Sequence, residues 1–150
     1  MAVDALYIAA RGGEPMTSCR TVSVSAGLGI EGDRYRERTG HWSDPRWPDQ
    51  ELTLIEAEVA ESLDIDPGLL RRNVVTRGDR LADLIGHDIR IGEAVLRFVR
   101  PCDPCRYLED LLARPGLRAA LDERGGGVRA AVIQGGTITV GDALLALASF

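Results

Sequence analysis

The segment DIRIGEAVLRFVRPCDPCR, which runs from Asp88 to Arg106, decides the predicted fold. Polar and apolar side chains alternate in residues 88–91, and residues 94–99 form an apolar run on the other side of Gly92. Two such runs around a glycine are typical of neighbouring strands joined by a tight turn. The second strand leads the chain directly toward Cys102. We therefore predict a pair of strands that delivers a cysteine-containing loop to its far end.

Further strands are predicted along the whole chain, at residues 2–10, 21–26, 52–55, 128–133, 137–140 and 143–148. Short helices are predicted at residues 56–63, at 81–86, after Cys105 and at 117–121. Strands dominate, turns are frequent, and no regular alternation of strand and helix is sustained. The predicted fold class is mainly β, with a partly closed antiparallel β-barrel and a few short helices over its openings. The length fits a single domain over residues 1–150.

Composition excludes several classes of function. The chain of 150 residues has a formal net charge of −5 and an isoelectric point near 5.0, which argues against a nucleic-acid partner. No apolar segment is long enough to span a bilayer, so we expect no membrane partner and a cytoplasmic location. All 18 basic residues are arginines. Without lysine, the chain has neither a Schiff base for pyridoxal phosphate nor a P-loop, and any anion must be held by arginine or backbone.

The stretch Arg100-Pro101-Cys102-Asp103-Pro104-Cys105-Arg106 carries the most chemistry in the sequence. Its two prolines fix φ and remove backbone donors, which predicts a rigid loop. Apolar residues at helical spacing follow, so Cys105 is predicted at the start of a helix. A helix N-terminus and flanking arginines favour the thiolate form of a cysteine.

Three interpretations of this CxxC motif remain open from the residues alone. A zinc site needs further ligands, and the remaining soft donors, Cys19, His41 and His87, form no second paired motif. A thioredoxin-type redox pair fits the predicted strand before the motif and the helix after it, but not the antiparallel surroundings. In the third interpretation, a thiolate binds a redox-active metal that an organic cofactor carries.

Two polar segments are further candidates for ligand binding. The glycine-rich segment 27–34 ends in Asp33 and Arg34, where glycines permit close approach of the backbone to a ligand. The segment Arg71-Arg72-Asn73 precedes an apolar run and is predicted to deliver polar groups at the end of a strand. Arginine binds phosphate and carboxylate in a bidentate manner. A surface ion pair at the first segment and a solvated arginine pair at the second are the alternatives.

Residues 36–50 are predicted to form a long polar loop. Trp42 and Trp47 either pin this loop to the body of the protein or border a substrate entrance, and pinning is favoured. His41 is a potential ligand or base, although a lone histidine in a polar loop is more often solvated.

Six motifs occur in the order seen in MOSC domains, which are named after the C-terminal domain of molybdenum cofactor sulfurases. They are Gly29-Ile30-Glu31-Gly32-Asp33-Arg34, Leu52-Thr53-Leu54-Ile55-Glu56, Arg71-Arg72-Asn73-Val74-Val75-Thr76, Ile91-Gly92-Glu93-Ala94, Arg100-Pro101-Cys102-x-Pro104-Cys105 and Gly135-Gly136-Thr137-Ile138-x-x-Gly141-Asp142. The sequence therefore resembles this family from about Gly27 to Asp142.

The resemblance implies a β-barrel that binds the molybdenum cofactor, a pterin with a dithiolene and a phosphate. It implies that Cys105 is the molybdenum ligand and the catalytic residue. It places the pterin and phosphate at Arg72 and Asn73, with Arg71 beside them, and makes Asp33 and Arg34 part of the pocket. Cys102 is assigned a supporting role.

The family also implies a function. Its enzymes reduce N-hydroxylated compounds with electrons from a separate flavin or iron–sulfur partner, which predicts a reductase module for N-oxygenated small molecules. The alternatives are a non-catalytic carrier or storage protein for the cofactor, a sulfur-transfer protein that acts with a cofactor-handling partner, and a thiol redox protein. Many relatives have histidine where this chain has Tyr35.

Overall fold

The computed structural model describes residues 1–35, 51–78, 80–102 and 106–149, and of residues 106, 107, 122–124, 148 and 149 it describes the backbone alone. The predicted polar loop with His41, Trp42 and Trp47 lies outside the described residues, as does Cys105. The strands are β1 (Ala2–Ile8), β2 (Thr17–Cys19), β3 (Thr21–Ser25), β4 (Gly29–Ile30), β5 (Leu52–Glu56), β6 (Val74–Arg77), β7 (His87–Ile91), β8 (Ala94–Pro101), β9 (Val128–Gln134), β10 (Gly136–Thr139) and β11 (Leu144–Ser149). The helices are α1 (Ala57–Ser62), α2 (Arg106–Leu111) and α3 (Leu117–Arg124), with 3₁₀ turns at Pro67–Leu70 and Leu81–Leu84.

The strand pair predicted around Gly92 is confirmed. β7 and β8 are antiparallel, and Ile91 lies opposite Ala94 across the turn. They belong to an eight-stranded sheet with the order β11-β7-β8-β9-β5-β6-β1-β2. β8 pairs along its length with β9, which fixes the end of β8 against the start of β9.

The prediction of a mainly β fold with a few short helices is confirmed, but the partly closed barrel is not. Among the described residues, no sheet closes on itself. β10, β3 and β4 form a separate three-stranded sheet, which leaves β11 and the short β2 as the edges of the larger one. A single bridge between Ala2 and Ala143 connects β1 to the start of β11, and no continuous ladder follows it.

The antiparallel arrangement also has an exception. β5 and β6 are parallel, with Leu54 opposite Val74 and Glu56 opposite Thr76. A parallel pair requires a long crossover, and here α1 and the turn at Pro67–Leu70 supply it. The crossover brings the segment just before β6, which contains Arg72 and Asn73, beside the start of β5.

Two apolar clusters cover opposite faces of the sheet around β5. Alternate residues of a strand point to opposite faces, so Leu52 and Leu54 face one cluster and Ile55 the other. The second cluster contains apolar side chains from all three helices: Ala57, Val59, Ala60, Leu108, Leu117 and Leu121. Thr53 shares the face of Ile55. The side chain of Thr53 therefore points to the face of the sheet that the helices cover.

Gly127 sets the spacing between β9 and β5. A β-carbon at Gly127, where φ is +99°, would lie 2.0 Å from the carbonyl oxygen of Leu54. Gly125 has nearly the same φ, +98°, but a β-carbon there would meet nothing within 4 Å. Substitutions at these two glycines therefore distinguish the cost of an unfavourable φ from the cost of a steric clash.

We expect Gly125→Ala to lower the free energy of unfolding by roughly 1–3 kcal/mol, since only the unfavourable φ is involved. Gly127→Ala should lower the free energy of unfolding by about 3 kcal/mol or more beyond the loss for Gly125→Ala. Its methyl group would meet the backbone of Leu54, which cannot rotate away as a side chain can. Guanidinium chloride titrations of both variants measure the difference. Equal losses would contradict the close approach of Gly127 to Leu54.

Candidate functional site

Asn73 lies at the centre of a buried polar network that joins β1, β5 and the segment after β4. Its side chain is fully buried. Oδ1 accepts hydrogen bonds from the backbone N–H of Thr53 at 3.1 Å and from the Thr53 hydroxyl at 3.3 Å. Nδ2 donates to the Tyr7 carbonyl and to Asp33 Oδ1, both at 3.1 Å. Both ends of the amide are thus used within the protein.

Asp33 is equally buried, and its carboxylate is surrounded by donors. Oδ1 accepts from the backbone N–H of Ala9 at 3.1 Å and from Arg34 Nη1 at 3.0 Å, in addition to Asn73. Oδ2 accepts from the backbone N–H of Tyr35 at 3.2 Å. A guanidinium and several N–H groups thus compensate for the hydration that this carboxylate loses on burial.

The predicted site residues Asp33, Arg34, Arg71, Arg72 and Asn73 therefore lie together in the fold. Arg34 donates from Nη2 to the Arg71 carbonyl at 2.9 Å, and its guanidinium lies 4.5 Å from the centre of the Tyr35 ring. Asp33 and Asn73 are fully buried, so in this arrangement they position their neighbours. Their predicted contact with a cofactor stays a prediction.

Arg71 and Arg72 leave the network in different directions. Arg71 has a left-handed backbone, with φ of 61°, and its Nη1 donates to the carbonyl of Glu14. Arg72 donates from Nε to the Gly126 carbonyl at 2.9 Å and from Nη1 to the Leu70 carbonyl at 3.0 Å. The left-handed backbone of Arg71 directs the side chains of Arg71 and Arg72 away from each other.

Among the described residues, no carboxylate pairs with Arg72. Within the described part of the chain, its guanidinium donates only to backbone carbonyls, which carry no formal charge, and its Nη2 has no hydrogen-bond partner. The side chain is 8% exposed, so water screens it weakly. This guanidinium is suited to an anionic ligand.

The start of the CxxC motif lies next to Arg72. The backbone N–H of Cys102 donates to the Gly127 carbonyl at 2.8 Å, and Gly126, the residue before, accepts the hydrogen bond from Arg72. Cys102 itself is 2% exposed at the end of β8. α2 begins at Arg106, which agrees with the helix predicted after Cys105. Arg72 and Cys102, which are distant in sequence, thus lie near each other at one end of β8.

Sequence reasoning missed Arg129 and the Thr53 hydroxyl at this place, and it did not relate them to Arg100 of the CxxC stretch. Arg129 of β9 lies opposite Thr53 of β5 and opposite Arg100 of β8, so the three side chains share the helix-covered face. Arg129 is 5% exposed. The only signal in the sequence was an arginine within an apolar strand, and its neighbours could not be named without the strand register.

Cys105 was predicted as a metal ligand, and because it lies outside the described residues this stays a prediction. In the part of the chain that the structure describes, no three His, Cys, Asp or Glu side chains are grouped to hold a metal ion. In that same part, no helix combines the length and apolarity needed to cross a membrane.

We expect Asp33→Asn to lower the free energy of unfolding by about 3–5 kcal/mol, because buried Arg34 would lose its counter-ion. Asp88→Asn is the matched control, since Asp88 also pairs with an arginine, Arg97, at 2.8 Å, but near the surface. The control should lose far less, as solvent screens that pair. Urea titrations of the two variants provide the measurement, and similar losses would show that the Asp33 network contributes little.

Comparison with solved structures supports the fold. The chain is similar to YuaD from Bacillus subtilis, with a TM-score of 0.72 and 22% identity over 96% of this chain and 94% of that one. It is similar to YiiM from Escherichia coli, with a TM-score of 0.69 and 18% identity over 100% of this chain and 71% of that one. For YiiM from Geobacillus stearothermophilus the TM-score is 0.70 and the identity 18%, over 98% and 73% of the two chains.

At these identities the likeness shows a shared fold. No curated protein matches the sequence. The sequence model of the MOSC domain matches residues 47–145, which include β5, the Arg71–Asn73 segment, the CxxC motif and the β9–β10 region. This match covers about two thirds of the chain and agrees with the motif order. The protein belongs to the MOSC domain family, a family associated with binding of the molybdenum cofactor.

Proposed function

We propose that this protein binds the molybdenum cofactor at the end of β8, with Cys105 as the molybdenum ligand and Arg72 on the anionic part of the cofactor. One observation carries the proposal. Arg72 is buried, donates only to neutral carbonyls among the described residues, and is joined through Gly126 and Gly127 to Cys102. A partly uncovered guanidinium beside a cysteine motif is what a cofactor with both a phosphate and a thiolate-binding metal requires.

The residues present fit such a group. The buried charged side chains in the described part of the chain are the arginines Arg34, Arg71, Arg72 and Arg129 and one carboxylate, Asp33. Their balance is positive, although the whole chain carries a net charge of −5. A locally positive interior in an acidic protein favours binding of an anion over binding of a cation.

The roles of the residues then divide in two. Arg72 contacts the anionic group, whereas Arg34 and Arg71, whose side chains extend in other directions, add only positive charge to the surroundings. Asp33 and Asn73 position these arginines through their hydrogen bonds to the segment after β4, to β1 and to β5. Cys105 supplies the thiolate. The bound cofactor would supply two-electron redox chemistry at its metal.

The reaction that we propose is reduction of N-hydroxylated compounds. Cleavage of an N–O bond consumes two electrons and two protons and gives the amine and water. The electrons come from a separate flavin or iron–sulfur protein, as the family resemblance implies. A carrier or storage role differs from this proposal in one respect, namely that the cofactor is bound but no substrate is turned over.

We expect Cys105→Ser to lose molybdenum, because an alcohol is a much weaker ligand than a thiolate. Protein purified from a host that makes the cofactor is analysed for molybdenum and assayed for reduction of 6-hydroxylaminopurine with reduced flavodoxin. Cys19→Ser is the matched control, since Cys19 lies on β2 and is part of neither the CxxC motif nor the arginine network. Metal content unaffected in the Cys105 variant would refute the ligand assignment. Cofactor without turnover in the unmodified protein would favour the carrier.

We expect Arg72→Gln to weaken cofactor binding by roughly tenfold or more, since a buried contact between a guanidinium and an anion contributes about 1.5–3 kcal/mol. Arg90→Gln, on β7, removes the same charge from a strand distant in the sheet from β6 and serves as the control. Pterin released from the purified variants is quantified by fluorescence. If both variants retain equal amounts of pterin, Arg72 does not contact the cofactor.

A further inference from the structure

A cavity borders the arginine network at Arg71. It is a groove of about 570 Å³ between the β1–β2 connection, the 3₁₀ turn at Pro67–Leu70 and the end of α2. We call it the apolar groove and define it by Tyr7, Met16, Asp66, Leu69, Leu111 and Leu112. Its volume falls within the range of about 300–1,000 Å³ that is usual for small-molecule sites.

Large apolar side chains in the walls of the apolar groove are exposed to solvent. Leu69 is 52% exposed and Leu111 is 41% exposed, and both line the groove from different elements. Met16 and Leu112 complete the apolar surface. Covering large apolar side chains that are exposed together on two elements is favourable, because it removes their surface from water. An apolar ligand body would remove this surface from water.

The charge that is open to the groove is negative. Asp66 is exposed, and its Oδ1 accepts from the backbone N–H of Gly68 at 2.8 Å, which leaves Oδ2 without a hydrogen bond among the described residues. Arg71 also borders the groove but is 7% exposed, and its Nη1 is directed to the Glu14 carbonyl. The carboxylate is therefore the charged group that a ligand meets first.

The hydroxyl of Tyr7 adds a neutral polar group. Burial, together with the nearby carboxylates of Asp66 and Asp4, raises the pKa of Tyr7 above its ordinary value. The phenol stays protonated at neutral pH and can both donate and accept a hydrogen bond. It adds no positive charge that would favour an anion.

We propose that the apolar groove binds small molecules with a mainly apolar body and one cationic nitrogen, with the Asp66 carboxylate as the counter-ion. Protonated aromatic amines and amidines have this chemistry. The body of the ligand covers Leu69, Leu111 and Leu112, and its cationic end meets Asp66. Arg72 does not line the groove, whereas Arg71 borders both the groove and the proposed cofactor site.

Benzamidine, benzamide and benzoate are matched probes, since they differ mainly in charge. We expect benzamidine to bind more tightly than benzamide in ligand-observed NMR titrations, and benzoate to bind most weakly. Asp66→Asn keeps an oxygen for the Gly68 N–H and removes the charge. This substitution should weaken the binding of benzamidine roughly fivefold, as expected for loss of a partly exposed ion pair, and leave the binding of benzamide unchanged.

Asp64→Asn is the control for charge, because Asp64 lies two residues away and does not line the groove. Leu69→Ser is a second test. It should weaken the binding of benzamidine and of benzamide to the same extent, since it removes apolar contact with the ligand body. The proposal is overturned if benzamidine does not bind, if benzoate binds equally well, or if Asp64→Asn matches the effect of Asp66→Asn. These outcomes concern binding of benzamidine alone, whereas the proposed function is tested by the molybdenum and pterin content.

Discussion

The carboxamide of Asn73 is the interaction on which the rest of the site depends. It links the start of β5, the carbonyl of Tyr7 in β1 and the carboxylate of Asp33 in one buried set of hydrogen bonds. In a medium of low polarity such bonds are strong, and any partner left unsatisfied is costly. The parallel pairing of β5 and β6 makes this arrangement possible, because it brings the residue before β6 level with Thr53.

Asp33 extends this constraint to the arginines. Its carboxylate orients Arg34, and Arg34 in turn holds the carbonyl of Arg71. Arg71 adopts a left-handed backbone, and Arg72 projects toward Gly126 in the segment before β9. The negative charge of Asp33 is compensated inside the network, whereas Arg72 donates only to backbone carbonyls among the described residues. The proposed binding role of the motif therefore falls on Arg72, and its structural role falls on Asn73.

Much of the fold could be predicted from local patterns. Alternation and glycine position were sufficient for β7 and β8, and helical spacing was sufficient for α2. The parallel pairing of β5 and β6 could not be predicted, since a crossover depends on which strands are neighbours in space. For the same reason the separate sheet of β10, β3 and β4 was not expected. Within the site, Arg71, Arg72 and Asn73 were conspicuous as a polar run, but Arg129 was not, because only strand register places it opposite Thr53.

The central claim is that the positive interior at the end of β8 exists to hold an anionic, metal-bearing cofactor. The most direct test is the content of the unmodified protein after purification from a host that makes the molybdenum cofactor. Molybdenum is measured by elemental analysis, and pterin is measured by fluorescence after oxidation. The account predicts equimolar molybdenum and pterin bound to the chain. Zinc in the absence of pterin would contradict it.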